Sequence, residues 1–222
     1  MSFSLNEIEA MGKRAARGAG LDWGIAEEAG KAARWLTSHG LPGPELLAEL
    51  LARNEGKSYD ELAPVSVDGV WEAKSGRLCP LVAGAALSDR AEEVAAGRDF
   101  EIGPIAFPLL LVPYAAIGAK SRGAAIALSW PGATLTISAD NGLAVEGNLS
   151  AVTARTVDKA RCGPALKETA TPPAGVPGPA ADAETCDAVT WSRLNAFAQR
   201  TFAPATEASR ALGAGAGLVD SD

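Results

Sequence analysis

The sequence predicts an α+β fold, in which an N-terminal helical module packs with a C-terminal helix against a mainly antiparallel sheet. Three observations predict this fold. Residues 4–54 carry apolar side chains at helical spacing, and the same spacing returns over residues 190–203. After Pro64 the pattern changes to short apolar runs separated by turn residues. Within that region Asp140-Asn141-Gly142 forms a turn signal, because Asn-Gly readily adopts the positive φ angles of tight hairpins.

Three helices are predicted in the N-terminal module. Ser4 and Glu7 form an S-x-x-E capping box that opens the first helix. The second helix is expected over about 24–38, with Gly40 just beyond its end, where a C-terminal glycine is common. Pro44 lies in the first turn of the third helix, a position that proline favours.

The region after Pro64 is predicted to be mainly strands, with a helical turn at 88–97. The long apolar run 105–118 cannot be a regular central strand along its full length, because Pro108 and Pro113 interrupt it. The segments expected to form strands are 65–71, 77–84, 124–130, 133–147 and 149–157.

The chain is expected to form a single compact unit over residues 1–222, since this length can bury a real core. Its predicted sub-regions follow the changes in pattern. They are a helical module (1–64), a β-rich region (65–170), a Pro/Gly/Ala linker (171–189), and a C-terminal helix with a Gly-rich acidic tail (190–222).

Composition excludes several classes of partner. The net charge is −7 and no segment is basic, so nucleic acid is not an expected partner. The apolar run 105–118 is too short to span a bilayer, and the N-terminal residues lack the pattern of a signal peptide. The three cysteines are widely spaced, which fits neither a disulfide framework nor a zinc site. We therefore predict a cytoplasmic protein with no membrane partner.

The residue inventory restricts the chemistry further. His39 is the one histidine, so any Ser-His-Asp or Cys-His site must include it, and a His-rich metal site cannot form within one chain. No phosphate-binding motif is present. We therefore expect no metal and no cofactor. His39 follows the last turn of the second helix beside Gly40, which favours a structural role at a helix end.

Glu28 is the candidate catalytic residue. It lies at the edge of the apolar face of the second helix, where we expect it to be mostly buried and to meet a cation or a donor from another segment. A carboxylate in such a place suits general acid or base chemistry. The alternative is a boundary glutamate whose carboxylate stays in water.

Basic side chains cluster on the first helix, away from its apolar stripe, at Lys13, Arg14 and Arg17. They form either a solvated face or the partner of the acidic C-terminal tail. We expect residues 213–222 to dock against the N-terminal helices of the same chain or of a symmetry mate. Glycines would permit close backbone approach there, whether the tail contacts a ligand or only another helix.

Two motifs carry a resemblance to a known family. The run WGIAEEAG (23–30) and the finish TEASRALGAGAGLVDSD (206–222) resemble a bacterial family described only as a domain of unknown function. The resemblance implies that the two ends of the chain belong to one structural or functional unit. It implies no activity and no catalytic residues.

Two functions are open at this point. The first is a cofactor-independent enzyme that acts on a small polar metabolite by carboxylate acid/base chemistry. Its candidate residues are Glu28 as the acid or base, Lys13, Arg14 and Arg17 as anion contacts, and Glu207 or Arg210 as substrate-orienting groups. The alternative is a non-catalytic assembly or partner-binding subunit, a homo-oligomer that uses the Ala/Gly-rich N-terminal helices and the tail.

Overall fold

The computed structural model describes residues 2–165 and 186–202. In this part of the chain the helices are α1 (Leu5–Gly18), α2 (Trp23–Ser38), α3 (Gly43–Arg53), α4 (Tyr59–Leu62), α5 (Pro80–Asp89), α6 (Ala91–Ala95), a 3₁₀ turn (Pro108–Leu111), α7 (Val112–Arg122), α8 (Leu149–Val152) and α9 (Ala188–Gln199). The strands are β1 (Val70–Trp71), β2 (Phe100–Ile102), β3 (Ile105–Ala106), β4 (Ile126–Trp130), β5 (Ala133–Ile137), β6 (Leu143–Gly147), β7 (Thr156–Val157) and β8 (Ala160–Pro164).

The sheet is mainly antiparallel, which confirms the predicted α+β class. Its six strands follow the order β1-β2-β8-β4-β5-β6, and only the β1–β2 pair is parallel. Alternate residues of β4 and β5 point into the core. One of them, Leu128, lies opposite Leu135 of β5 and Cys162 of β8. A separate antiparallel pair joins β3 and β7.

The predicted helix signals of the N-terminal module are confirmed. The Ser4 backbone N–H donates to Glu7 Oε2 at 2.8 Å and the Glu7 N–H donates to Ser4 Oγ at 3.3 Å, a complete capping box. α2 ends at Ser38, and Gly40 follows with φ 72°. Pro44 lies in the first turn of α3, as expected.

Two glycines allow α1 and α2 to cross at close range. A Cβ added at Gly30 would lie 2.4 Å from the Glu9 carbonyl oxygen, and one added at Gly12 would lie 3.1 Å from the Gly30 Cα. The alanines beside this crossing, among them Ala15 and Ala29, are buried. The Ala/Gly faces of these two helices therefore pack against each other within the chain.

The predicted hairpin connects β5 and β6. Asn141 has φ 71°, the left-handed conformation that the Asp-Asn-Gly signal predicts. The turn is closed by the Ser138 N–H, which donates to the Gly142 carbonyl at 2.9 Å. The predicted hairpin is thus confirmed, and β4 pairs antiparallel with its first strand, β5.

Two segments expected to be strands are partly helical. Residues 77–84 include the start of α5, where Cys79 is the N-cap and Pro80 opens the helix. A continuous apolar run does not distinguish a buried strand from a buried helix, which explains this error. Residues 149–157 divide between α8, which the Asn148 side chain caps, and β7.

The apolar run 105–118 forms β3, the 3₁₀ turn and α7 in succession, and it lies almost wholly in the core. Its prolines do exclude a long central strand, as predicted. Pro108 and Pro113 lie instead in the first turns of the 3₁₀ helix and of α7, where a missing N–H costs nothing.

The C-terminal helix joins the N-terminal module. α9 crosses α1 so closely that a Cβ added at Gly18 would overlap the Phe197 carbonyl group. The rings of Phe3 and Trp191 stack with 3.6 Å between their centroids. Most of the predicted linker, and the tail beyond Phe202, lie outside the described residues.

The helical module reaches the sheet through intervening helices. α5 and α7 pack on α2, and α7 also packs on β4 and β5. Arg155, just before β7, links the β-rich region to α3, since it donates to Glu45 Oε1 at 2.8 Å and to Glu49 Oε1 at 2.7 Å. None of the helices in the described ranges has the length and apolarity that a bilayer crossing requires.

Candidate functional site

A cavity of about 160 Å³ lies between α2 and α7, beside Glu28. Its lining is largely apolar, and the charged groups stand at one side. α2 contributes residues at successive turns, because helical spacing places them on one face. The lining residues are Glu28, Lys31, Ala32 and Trp35 from α2, and Pro113, Tyr114 and Ile117 from α7.

Glu28 lies at the border of this cavity and is partly buried, with a side chain that is 30% exposed. Its Oε1 accepts a hydrogen bond from Lys31 Nζ at 2.9 Å. We expected a partner from another segment, and in this respect the prediction is wrong: the cation lies one turn further along the same helix. A partner at that spacing follows from helical geometry alone.

A chain of ion pairs connects this carboxylate to the first helix. Lys31 Nζ also lies 3.2 Å from Glu27 Oε1, and Lys13 Nζ lies 3.4 Å from Glu27 Oε2. The hydrogen bond that Lys31 donates to Glu28 raises the pKa of Lys31. Lys31 and Lys13 together lower the pKa of Glu27. Lys31 is therefore a cation and Glu27 an anion at neutral pH.

The other predicted anion contacts are not brought to the cavity. Arg17 donates to the Leu21 carbonyl and lies over the Trp23 ring, 4.6 Å from its centroid. Arg14 is exposed and lines none of the cavity. The structure thus links Lys13 to Glu28 indirectly, through Glu27 and Lys31. Glu207, Arg210 and the tail 213–222 lie outside the described residues.

Tyr114 is the functional candidate that sequence reasoning missed. Its side chain is buried, and its hydroxyl oxygen has no hydrogen-bond partner among the described residues. Burial, and then the nearby Cys79 and Glu28, raise the pKa of the phenol. A signal was present, because Tyr114 is the only polar side chain in the apolar run 105–118.

Tight packing fixes the Tyr114 ring. A Cβ added at Gly84 of α5 would overlap the ring carbons, so the glycine makes room for the tyrosine. An unpaired buried hydroxyl costs free energy, on the order of 1–3 kcal/mol.

His39 connects the end of α2 to the β5–β6 turn through hydrogen bonds. Its Nδ1 lies 2.8 Å from the Trp35 carbonyl oxygen and its Nε2 lies 3.2 Å from the Asn141 carbonyl oxygen. The imidazole stacks on the Trp35 ring, whose Nε1 donates to Asn141 Oδ1 at 2.8 Å. The predicted helix-end position is confirmed, and these contacts favour a structural role.

The thiols and the carboxylates do not form a metal site in the described ranges, where no group of three or more His, Cys, Asp or Glu side chains could hold an ion. All three cysteines are buried and free. Burial raises the pKa of Cys162 to about 12 and that of Cys186 to about 11, which keeps both protonated and poorly nucleophilic at neutral pH.

Comparisons with known proteins give a similarity over part of the chain and no activity. No curated protein matches the chain. A solved structure, the malate dehydrogenase from Entamoeba histolytica, aligns with a TM-score of 0.44 and 13% identity over 65% of this chain and 45% of that enzyme. A likeness at this level says nothing about the reaction of this chain.

The model of a family described as "Protein of unknown function (DUF3726)" matches residues 3–79. That segment runs from α1 to the N-cap of α5, and it includes Glu28 and His39. The predicted resemblance is confirmed over residues 3–79, which are similar to this family of unknown function.

Proposed function

We propose that the protein is an enzyme that acts on a small metabolite by carboxylate acid/base chemistry, with Glu28 as the acid or base. The observation that carries the proposal is the cavity, which has the partly buried carboxylate of Glu28 at its border and the buried Tyr114 in its wall. Partial exclusion of water strengthens electrostatic interactions between such groups and a ligand.

The cavity narrows the class of substrate. Apolar groups of Ala32, Pro113 and Ile117 would contact an apolar body of the substrate, while its polar group would face Glu28 and Lys31. Lys31 is a cation and suits a carboxylate or a developing oxyanion. Proton transfer to or from carbon or oxygen, in an isomerisation, elimination or hydrolysis, fits these groups.

The packing of α1 and α2 favours this function over assembly. The assembly hypothesis uses the Ala/Gly faces of the two helices as a surface for another chain. Those faces are buried against each other, with Gly30 in contact with the Glu9 and Lys13 backbone. They are therefore not available to a partner unless the helices separate.

The test compares two neighbouring glutamates. Small hydroxy, keto and amino acids are screened for binding by ligand-observed NMR, and the ligands found are then assayed for turnover. Glu28→Gln keeps the shape of the side chain and should lower turnover by about 10²–10⁴-fold, the usual contribution of an acid or base. Glu27→Gln is the matched control, since Glu27 is also paired with Lys31 but does not line the cavity.

Binding and turnover should respond differently. Glu28→Gln should leave binding of the same ligands within a fewfold of the parent, because the amide retains the size and polarity of the carboxyl. If Glu28→Gln and Glu27→Gln reduce turnover equally, or neither does, Glu28 is not the acid or base.

A further inference from the structure

A second concave site lies between α3 and α9. It is an open groove of about 500 Å³, a size typical of metabolite sites. It shares no lining residue with the cavity beside Glu28. Three arginines line it, Arg53 from α3, Arg193 from α9 and Arg155 from the loop before β7, in a chain whose net charge is −7.

Two of these arginines have no acidic partner in the part of the chain that the structure describes. Arg155 is fully engaged, since Glu45, Glu49 and the Thr153 carbonyl accept its hydrogen bonds. Arg53 and Arg193, in contrast, form no ion pair with any acidic side chain in residues 2–165 and 186–202. Desolvation, together with the charge of Arg77, lowers the pKa of Arg53, so this cation is placed where its neighbours disfavour it.

Apolar surface separates the charged groups. Phe107 and Phe197, which are almost completely buried, and Ala52 and Ala196, which are exposed, all line the groove. The Phe107 N–H donates to the Arg155 carbonyl at 3.0 Å, which ties this part of the lining to the arginine loop. The groove therefore combines an apolar surface with two guanidinium groups that form no ion pair within the described ranges.

We propose that this groove binds a small organic anion, whose carboxylate or phosphate group pairs with Arg53 and Arg193 and whose apolar body contacts the apolar side chains that line the groove. Guanidinium groups form paired hydrogen bonds with both kinds of oxyanion. Glu49 is held by Arg155 through both of its carboxylate oxygens, so it does not compete for the other two arginines.

The test uses benzoate, its neutral counterpart benzamide, and inorganic phosphate as probes of the full chain. In chemical-shift titrations, benzoate should shift the signals of the residues that line the groove. Benzamide should bind there at least about tenfold more weakly. Arg53→Gln and Arg193→Gln should each weaken benzoate binding by about tenfold or more, as expected for a lost charge-assisted hydrogen bond. Phosphate binding that also needs both arginines would show that the charge, and not the aromatic ring, supplies most of the affinity.

Arg122→Gln is the matched control, because Arg122 is an exposed arginine at the end of α7, outside the groove. It should leave benzoate binding unchanged, as should Glu28→Gln, which keeps this test independent of the proposed catalytic site. Equal binding of benzoate and benzamide, or benzoate binding that survives both arginine substitutions, would overturn the proposal. So would the absence of any benzoate-dependent shift in the groove.

Discussion

At the scale of single residues, Phe107 shows how a strained backbone is kept in place. It has φ 44° and ψ 61°, in the left-handed region that bulky side chains rarely adopt. The Phe107 N–H donates to Arg155, its carbonyl accepts from the Leu110 N–H, and its ring is 3% exposed. These contacts, and the 3₁₀ turn that begins at Pro108, fix the conformation together.

Two substitutions separate the backbone of Phe107 from its ring. Phe107→Ala and Phe107→Gly both remove the ring, so both should destabilise the fold by several kcal/mol, as large core truncations do. Glycine adopts positive φ without strain, so Phe107→Gly should be the more stable of the two by about 1 kcal/mol. Chemical denaturation of the two variants measures the difference, and a more stable alanine variant would mean that the strain is relieved elsewhere.

At the scale of elements, the crossing of α1 and α2 depends on the absence of a side chain. Gly30 packs on the Glu9 carbonyl and the Lys13 backbone, and Gly12 packs on Gly30. Glycine is normally unfavourable in a helix interior, by roughly 0.5–1 kcal/mol relative to alanine. At this crossing close packing of the helices outweighs that cost.

Substitution of two glycines in α2 tests this balance. Gly30→Ala should destabilise the protein by about 2 kcal/mol or more, because the new methyl group would lie 2.4 Å from a backbone oxygen. Gly24→Ala in the same helix meets nothing within 4 Å and should be neutral or stabilising by up to about 1 kcal/mol. Thermal unfolding of both variants gives the comparison. A Gly30→Ala variant as stable as Gly24→Ala would show that the helices can move apart freely.

Elements with a local signal were predictable from the sequence, and those defined by tertiary context were not. The Ser4–Glu7 capping box and the Asn141 turn are specified by residues within a few positions of one another. The start of α5 was predicted as a strand because residues 80–84 are apolar or small on all sides. Periodicity could therefore not identify the helix.

The candidate site was predictable only in part. The position of Glu28 at the edge of the apolar face of α2 predicted a carboxylate at the border of the core, and the structure places it beside a cavity. The opposite wall comes from α7, more than 80 residues away, and nothing local in the sequence pairs Tyr114 with Glu28. Arg53 and Arg193 likewise line one groove only because α3 packs on α9.

At the scale of the whole molecule, the burial of thiols makes the free energy of unfolding depend on pH in the alkaline range. All three cysteines are buried, and Cys162 lies in the middle of the sheet, opposite Phe100 and Leu128. Desolvation, and secondly Asp99, raise the pKa of this thiol from 9.0 to about 12. The protonated thiol is thus favoured by folding, and its contribution to stability is complete below pH 9.

Between pH 9 and 12 the unfolded chain loses the Cys162 proton while the folded chain keeps it. The free energy of unfolding should therefore fall as the pH rises through this interval, by about 1.4 kcal/mol per pH unit from this thiol. Cys162→Ala should show a shallower decline from pH 9 to 10.5 when both proteins are unfolded with urea. Parallel pH profiles for the two proteins would show that the thiol is ionised or solvated in the folded state.

The packing of α9 on α1 also affects the order in which the protein can fold during synthesis. The Gly18 side of α1 is covered by Phe197, and Phe3 stacks on Trp191, so these surfaces have no cover until α9 has left the ribosome. At about 5–20 residues per second, α1 waits roughly 10–40 seconds for its partner. The nascent N-terminal helices therefore expose apolar surface throughout most of translation, and chaperones that bind such surface have their longest opportunity at this end of the chain.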